Sequence, residues 1–441
     1  MMKGGASLLI VVFIGFVTLP AATAFDECAD LAEESPTISL EQLWEKSVAA
    51  EPAMQASEYR EAAARAELRA LQRWMRPDVA VEMQADVGQR ARPGEERDQG
   101  IGVRGDILGS TTWTVIDSGR HWSSRAAQRR QTEEQFAGQA LQLDIRALAV
   151  GAYIHAAIAD ERRQFLIERR EELQAMVEVV ERRVAGEVES RYDQALLDDA
   201  IARSDRLIDE ARQEHELAVI ELSNSVGHCA RPGPLRPVVD AIGDGETQDV
   251  DGQHPSVELL RSRADSLEAD ARSVERQGAW QFGVRGVAGI YGSQAFDDHV
   301  LPEYYVGGFG LWRPDFSGVR RDRASAEEER SRALRAEADS LQRTQKGERR
   351  RWAQIVNQAG ERQRLLERER ERAATRAAQA HLRWSEGVGS WTEVLDADER
   401  LETVVLTKLD FRRDVALAMV EYGVATATLV EMSSELNSGG P

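Results

Sequence analysis

The sequence predicts a mainly α-helical fold with a small β part, built from a duplicated unit of helix, strand, strand, long helix, turn and helix. Two similar glycine-containing turns, near residues 186–193 and 386–392, interrupt long charged helical regions. A segment with the two-residue alternation of β-strands precedes each long helical region, and a further helical segment precedes each strand pair. An internal duplication of this size restricts the architecture more than any single residue does.

The chain begins with the features of a secretory signal peptide. Lys3 supplies a positive charge, residues 8–19 are an apolar run, and Ala22-Thr23-Ala24 forms an A-x-A cleavage site. Such a run is short for a membrane-spanning helix, which needs about 20 residues. We therefore expect residues 1–24 to be removed and the mature chain to begin at Phe25. No stretch beyond Phe25 resembles a membrane-spanning helix, so any crossing by the mature chain requires strands closed into a barrel.

The two cysteines of the chain, Cys28 and Cys229, are candidates for a disulfide bond. Exported proteins fold in oxidising compartments, where paired cysteines form bonds. Cys28 precedes the first helix of the first unit and Cys229 follows its last helix, so a unit that closes on itself brings them together. Two free thiols are the alternative. The residues before Cys28 lack the small apolar side chains of a lipid-modification signal, which argues against a lipid anchor.

The charge balance argues against a nucleic-acid partner. The chain has 56 basic and 76 acidic residues, and its formal net charge is -20. Binding to phosphate backbones needs a basic footprint, which this composition lacks overall.

The first unit contains a helix and a pair of strands. Ser39 and Gln42 form the pattern of a capping box, and we expect the helix to run from there to about Arg76, where Pro77 stops it. From Val79 onward, apolar and mostly polar residues alternate, and a glycine-rich strand ends at about residue 116. This strand pair, at about 78–116, has the pattern of a barrel strand with lipid on one side and water on the other.

A continuous helical pattern follows the first strand pair, over residues 120–185. At about 1.5 Å per residue such a helix spans roughly 100 Å, which is far too long for one globular core. It indicates a coiled-coil or tube-like assembly. The helix after the first turn carries an apolar stripe with coiled-coil spacing. The stripe consists of Leu197, Ile201, Ser204, Ile208, Ala211, His215, Ala218, Leu222 and Ser225.

A segment rich in proline, glycine and acids, residues 228–252, separates the two units. We assign residues 25–227 to repeat 1, residues 253–432 to repeat 2, and residues 433–441 to a disordered tail. Repeat 2 has strands at about 279–313 and a turn at about 386–392. Its last helix has the clearest seam, which Lys408 alone interrupts. The seam consists of Leu401, Val404, Lys408, Phe411, Val415, Ala418, Tyr422, Ala425 and Leu429.

Motifs that carry chemistry are scarce. Gly100, Gly102 and Gly105 match G-x-G-x-x-G by letter, but they lie inside a strand pattern and not between a strand and a helix. The seven histidines are scattered, without H-E-x-x-H or a Cys/His cluster at metal spacing. We therefore expect no catalytic residues, no metal site and no cofactor, and we predict that the protein is not an enzyme.

The most specific stretch is Trp384-Ser-Glu-Gly-Val-Gly-Ser-Trp-Thr-Glu-Val-Leu-Asp-Ala397, in the second turn. Together with the signal peptide and the duplicated unit, it resembles the TolC-like outer-membrane efflux protein family. The resemblance covers about residues 37–431. The first-repeat counterpart, Gly186 to Ala200, matches more loosely and with about one additional residue before Asp193.

The resemblance implies a homotrimer in which each subunit contributes four strands to one 12-stranded outer-membrane β-barrel, continued by a long periplasmic α-helical barrel. It implies the passive exit duct of a tripartite efflux or type I secretion system, in contact with outer-membrane lipid. A periplasmic adaptor protein and an inner-membrane pump or exporter would be the partners, and the latter would supply the energy. The exported substrate stays open between drug, metal ion and protein.

The resemblance also points to residues at the tip. The family's acidic constriction residues fall on Glu393 and Asp396, which lie three positions apart on one helix face and would attract cations. The alternative is that both are first-turn acids favoured by the helix dipole.

The two turns resemble the hairpin tips that contact the adaptor in this family. They include Gly186 and Asp193 in the first repeat and Gly387 and Gly389 in the second. An ordinary helix reversal, in which glycine supplies a positive φ, is an alternative that is compatible with this contact.

Two other functions compete with an exit duct. A periplasmic adaptor carries one helical hairpin flanked by small β domains, so a duplicated hairpin with central strand pairs argues against it. A structural coiled-coil protein of the cell envelope is the second alternative, and membrane fractionation would separate it from a barrel. The strand segments are poorer in aromatic residues than outer-membrane barrels usually are.

Overall fold

The computed structural model describes residues 36–73, 78–88, 102–234, 254–276, 279–293 and 300–427. The expected signal peptide (1–24), Cys28, positions 235–252 of the expected linker and the expected tail (433–441) lie outside these residues.

The described chain is mainly α-helical with one small sheet, as the sequence predicts. In chain order its elements are β1 (Thr37–Ile38), α1 (Leu40–Ala50), α2 (Pro52–Gln72), β2 (Asp78–Gly88), β3 (Gly102–Asp117), α3 (Arg120–Ala185), α4 (Arg191–Val226), β4 (Arg231–Pro232), α5 (Pro255–Arg276), β5 (Trp280–Ser293), β6 (Val300–Trp312), α6 (Val319–Ser385) and α7 (Trp391–Thr426).

Both strand pairs join into one antiparallel four-stranded sheet with the order β2-β3-β5-β6. The central β3–β5 pairing connects the two repeats, with Thr112 opposite Arg285 and Asp117 opposite Gln281. β2 and β6 are the two edge strands. The end of β3, the start of β5 and the end of β6 lie at the same level of the sheet. The long helices α3 and α6 follow β3 and β6, so both leave the sheet from that side.

The expected single first helix is divided in two at Pro52. Proline lacks the N–H that a helix interior needs but fits the first helical position, so α1 ends at Ala50 and α2 begins at Pro52. The Glu51 carboxylate caps α2 by accepting from the N–H of Ala53 (3.4 Å). At the start of α5, His254 precedes a proline in the same way, and its Nδ1 accepts from the N–H of Ser256 (3.2 Å).

The beginning of the described chain pairs with the start of the segment that follows repeat 1. Thr37 pairs with Arg231 and Ile38 with Pro232 in a short parallel ladder. This pairing brings the segment that follows Cys28 to the segment that contains Cys229, which favours the expected disulfide. Because Cys28 lies outside the described residues, the bond stays a prediction.

The long helices form two hairpins, α3–α4 and α6–α7, and α3 also packs against α7. α2 packs on α3, while α5 packs on both α3 and α6. Within the described stripes the seam residues are largely buried; those of α4 are Leu197, Ser204, Ala211, His215, Ala218 and Leu222, and those of α7 are Phe411, Val415, Ala418 and Ala425. Lys408, which interrupts the α7 seam, pairs with the Glu367 carboxylate on α6.

One window of 18 residues in α3 is apolar enough, by length and composition alone, to cross a membrane, and 50% of it is buried inside the subunit. We expected no segment of the mature chain to resemble a membrane-spanning helix. By length and composition, α3 contains one segment that does. The middle of α3 contributes Val150, Ile154 and Ile158 to the largest buried cluster, together with Leu43 of α1 and Leu222 of α4. Packing within the subunit thus accounts for much of its apolar character.

Candidate functional site: the tip of the two helical hairpins

The two hairpin turns have the same backbone hydrogen bonds. In the first, the N–H of Val188 donates to the carbonyl oxygen of Arg183 (2.9 Å), and in the second the N–H of Val388 donates to that of Arg383 (2.9 Å). Each is the six-to-one bond of a Schellman motif, which satisfies a carbonyl left open at a helix end. Val188 and Val388 therefore occupy the same position in their turns, and the two turns align at a constant offset of 200 residues.

The residue with positive φ differs between the turns. It is Gly387 in the second (φ 76) and Glu187 in the first (φ 56), whereas Gly186 has φ -84. The interpretation that glycine supplies the left-handed conformation is therefore right for Gly387 and wrong for Gly186. Glycine reaches this conformation without cost, while a residue with a Cβ is strained there.

The same offset corrects the expected alignment of the turns. Gly186 corresponds to Glu386, and Asp193 corresponds to Glu393, so the first turn has no additional residue. The hydroxyl of Ser190 accepts from the N–H of Asp193 (3.2 Å), and that of Ser390 accepts from the N–H of Glu393 (3.2 Å). Both acids thus occupy the third position of a capped helix, where the helix dipole favours negative charge.

Replacing Glu187 by glycine should stabilise the first turn. The left-handed conformation costs a residue with a Cβ roughly 1–2 kcal/mol, and glycine removes that cost at some expense in chain entropy. We expect amide exchange over residues 183–190 to slow about fivefold in Glu187→Gly, which corresponds to about 1 kcal/mol. Gly186→Ala is the control, because its φ is negative and its new Cβ would lie 3.4 Å from the nearest atom. Equal exchange in Glu187→Gly and the parent protein would contradict strain at Glu187.

The first turn holds the end of α6. The indole Nε1 of Trp384 donates to the Glu189 carboxylate (2.8 Å). The Arg183 guanidinium donates to the carbonyl oxygen of Trp384 (2.8 Å), and its carbon lies 4.6 Å from the centroid of the Trp384 ring. These contacts join the two hairpins at their tips, on residues that the sequence identified only as parts of turn motifs.

A small apolar cluster lies directly behind these contacts. The rings of Trp384 and Trp391 have centroids 4.9 Å apart, and Trp391 is fully buried. The other buried members come from three of the four long helices, and they are Leu173, Val180, Leu197 and Val394. The tip is therefore one packed unit that includes α3, α4, α6 and α7.

A buried carboxylate, Asp398 of α7, connects three helices about two turns from the tip. Its side chain is 5% exposed and accepts from the Arg169 guanidinium of α3 at 2.6 Å. The Nε2 atom of His381, on α6, lies 3.0 Å from the same carboxylate. The equivalent residue of the first hairpin, Asp198, is exposed. This charged contact, which we call the Asp398 junction (Arg169, His381 and Asp398), is thus specific to the second repeat.

The electrostatics of the Asp398 junction favour the charged state of both titrating groups. The hydrogen bond to Asp398 raises the pKa of His381, against an opposing effect of burial. Burial alone would raise the pKa of Asp398, but the hydrogen bonds and charges of His381 and Arg169 outweigh it, so the pKa of Asp398 is lowered. Two further charged groups lie nearby. The Glu172 carboxylate accepts from Arg169 (2.7 Å), and burial raises the pKa of Glu402.

The expected constriction residues, Glu393 and Asp396, are both exposed on α7. A guanidinium nitrogen of Arg383 lies 3.6 Å from the Glu393 carboxylate. Among the described residues Asp396 forms no ion pair. At the offset of 200, the position of Asp396 corresponds to Leu196, so the first hairpin lacks the second acid.

The duplicated hairpins on a shared four-stranded sheet are the fold of TolC-like outer-membrane efflux channels. The protein is similar in structure to the Campylobacter jejuni CmeC outer membrane channel (TM-score 0.75, 12% identity, 90% of this chain and 89% of that chain). It is also similar to the outer membrane protein VceC from Vibrio cholerae (0.73, 14%, 88% and 95%) and to the outer-membrane channel OprN (0.73, 17%, 88% and 90%). No protein-family model and no curated protein matches the sequence. The expected resemblance is confirmed in the fold.

Proposed function

We propose that this protein is the outer-membrane exit duct of a tripartite efflux or type I secretion system. It acts as a homotrimer and opens a passive path whose driving force comes from an inner-membrane pump or exporter through a periplasmic adaptor. The observation that carries the proposal is the sheet, which has two open edges and one apolar, exposed face next to two helical hairpins.

The open edges favour assembly of several chains. β2 and β6 each pair on one side only within the described chain. Lipid offers no hydrogen bonds to unpaired backbone groups, so spanning sheets close into barrels. Three copies of a four-stranded sheet, joined β6 to β2, give an even barrel of 12 strands with no edge left.

The two faces of the sheet differ as a lipid boundary requires. Large apolar side chains on one face are exposed, and they are Trp113, Trp280, Phe282, Val284, Tyr304, Val306 and Trp312. Register places them together, since Trp280 lies opposite Trp312 and Trp113 opposite Val284. The other face includes Thr112, Gln281 and Arg285, which suit a watery lumen, and also the exposed ring of Tyr305. Aromatic residues are thus present where the strands meet the helices, as in barrel girdles.

The hairpin tips suit the contact with an adaptor. Each turn has one exposed valine, Val188 in the first (63% exposed) and Val388 in the second (71%). They lie within two residues of the proposed contact residues Gly186, Gly387 and Gly389, and Asp193 follows in the first turn of α4. We place the adaptor-contacting surface on these two turns, and the constriction at Glu393 and Asp396 just above them.

Planar-bilayer recordings of the purified full-length protein test the proposal. We expect trimers that insert, conduct and prefer cations, because two rings of carboxylates attract them. A monomeric protein that neither inserts nor conducts would exclude the duct.

Charge substitutions at the tip test the constriction. Glu393→Ala/Asp396→Ala should reduce cation preference, with Asp396 contributing more because Arg383 partly neutralises Glu393. Arg383→Ala is the control with the opposite change in charge. It should increase cation preference, since it removes the positive charge beside the Glu393 carboxylates. Unchanged selectivity in both variants would remove Glu393 and Asp396 from the conduction path while leaving the duct itself intact.

A further inference from the structure

We propose that a cluster of arginines around Trp122 binds the phosphate groups of anionic phospholipids at the periplasmic surface of the outer membrane. The cluster, which we call the Trp122 patch, consists of Arg125, Arg272, Arg276 and Trp122. The inference rests on the proposed function, because it requires the sheet to lie in a membrane.

The three guanidinium groups surround one indole ring. Their central carbons lie 4.8 Å (Arg272), 5.6 Å (Arg276) and 5.7 Å (Arg125) from the centroid of the Trp122 ring. Cation–π contacts of this length hold an arginine in place without neutralising it. The residues belong to the first turns of α3 and the last turns of α5, and all three arginines are exposed.

The patch has more positive charge than its acids neutralise. Arg272 pairs with Glu268 (2.5 Å). Glu268 also pairs with Arg335, and these cations lower its pKa. Within the described chain neither Arg125 nor Arg276 has a carboxylate at ion-pair distance, although the charge of Arg125 also helps to lower the pKa of Glu268. Cations this close repel one another, so a shared anion would stabilise the arrangement, in a protein whose overall net charge is -20.

The patch lies directly below the sheet. The hydroxyl of Ser118, just after β3, donates to the carbonyl oxygen of Arg276 (2.7 Å) and accepts from the N–H of Trp280 (3.3 Å). From Arg276 to Arg272 a helix rises about 6 Å. The polar layer on each side of a hydrocarbon core is roughly 5–8 Å thick. With the sheet in the membrane, the arginines therefore lie at the depth of the lipid phosphates.

The second repeat places basic and aromatic residues at the same level. Trp312 ends β6 opposite Trp280, and Phe316 in the next turn is 90% exposed. The exposed arginines near it are Arg313, Arg321 and Arg323. Aromatic rings and basic residues together at the end of a spanning sheet are typical of a membrane interface. This favours lipid over a soluble anion as the occupant.

Native mass spectrometry of the full-length protein, with phosphatidylglycerol and phosphatidylcholine added in turn, tests the inference. We compare Arg125→Gln/Arg276→Gln with Arg368→Gln/Arg376→Gln. The latter removes the same charge from exposed sites of α6 that are roughly 75–85 Å from its start. Each basic residue at an anionic surface contributes roughly fivefold in affinity, so we expect roughly a 25-fold loss for phosphatidylglycerol in the patch variant alone.

Three results would overturn the inference. The first is equal affinity of the parent protein for phosphatidylglycerol and phosphatidylcholine. The second is an equal loss of phosphatidylglycerol affinity in both double variants. The third is binding of phosphatidylglycerol that millimolar inorganic phosphate abolishes. The last would show a site for free phosphate. Channel insertion of the same samples separates this inference from the proposed function, because a duct that inserts and conducts without lipid preference overturns the patch alone.

Discussion

Asp398→Asn is expected to loosen the contact between the two hairpins by roughly 3–5 kcal/mol. Removing one partner of a buried ion pair leaves the other charge uncompensated, and that penalty is of this size. Here the carboxylate has two cationic partners on two different helices, Arg169 and His381. Amide exchange of α6 and α7 near residues 381–398 should therefore accelerate at least a hundredfold, with a smaller effect near Arg169 on α3.

Asp198→Asn is the matched control. Asp198 occupies the equivalent position of the first hairpin but is exposed, so we expect a change below about 0.5 kcal/mol. Equal effects of Asp398→Asn and Asp198→Asn would show that the Asp398 junction contributes nothing beyond a surface charge.

The pH dependence gives an independent readout of the same junction. Because the pKa of His381 is raised, its contribution is complete below about pH 6.5 and is lost as pH rises through the raised value. Because the pKa of Asp398 is lowered, its contribution is present above about pH 4 and is lost as pH falls through the lowered value. Protection should therefore be highest between about pH 4 and pH 6.5. In His381→Gln the decrease above that window should disappear.

The sequence was sufficient for the repeating elements because their signals are local. The alternation after Val79, the capping box at Ser39 and the seam from Leu197 to Leu222 each depend on neighbours within one element. The division of the first helix at Pro52 was not predicted, although a proline inside a helical pattern is a local signal for a boundary.

The tip contacts could not be predicted in the same way. Asp398 is one of many acids on a charged helix, and its burial depends on Arg169 and His381, which lie on two other helices. The misassignment of Gly186 had a different cause: two glycines at similar places suggested an alignment that the backbone does not follow. The hydrogen bonds and the positive φ values of the turns show that Glu187 takes the place of Gly387.

Trp391→Ala should destabilise the tip by roughly 3–5 kcal/mol, the usual cost of truncating a fully buried tryptophan. The indole packs in the cluster that contains Leu173 and Val180 of α3 and Leu197 of α4. The cavity should therefore weaken both hairpins, not only the one that carries the substitution. Hydrogen exchange should rise over residues 173–201 as well as over 380–398.

Arg191→Ala is the matched control, because Arg191 is the exposed equivalent of Trp391 after the Ser190 cap. It should change exchange little in either hairpin. Trp391→Phe should recover part of the loss, since a phenyl ring fills much of the cavity. If exchange in Trp391→Ala rises only over residues 386–395, the cluster does not join the hairpins. A rise over both hairpins would instead mean that opening one tip requires opening the other, because they share one apolar core.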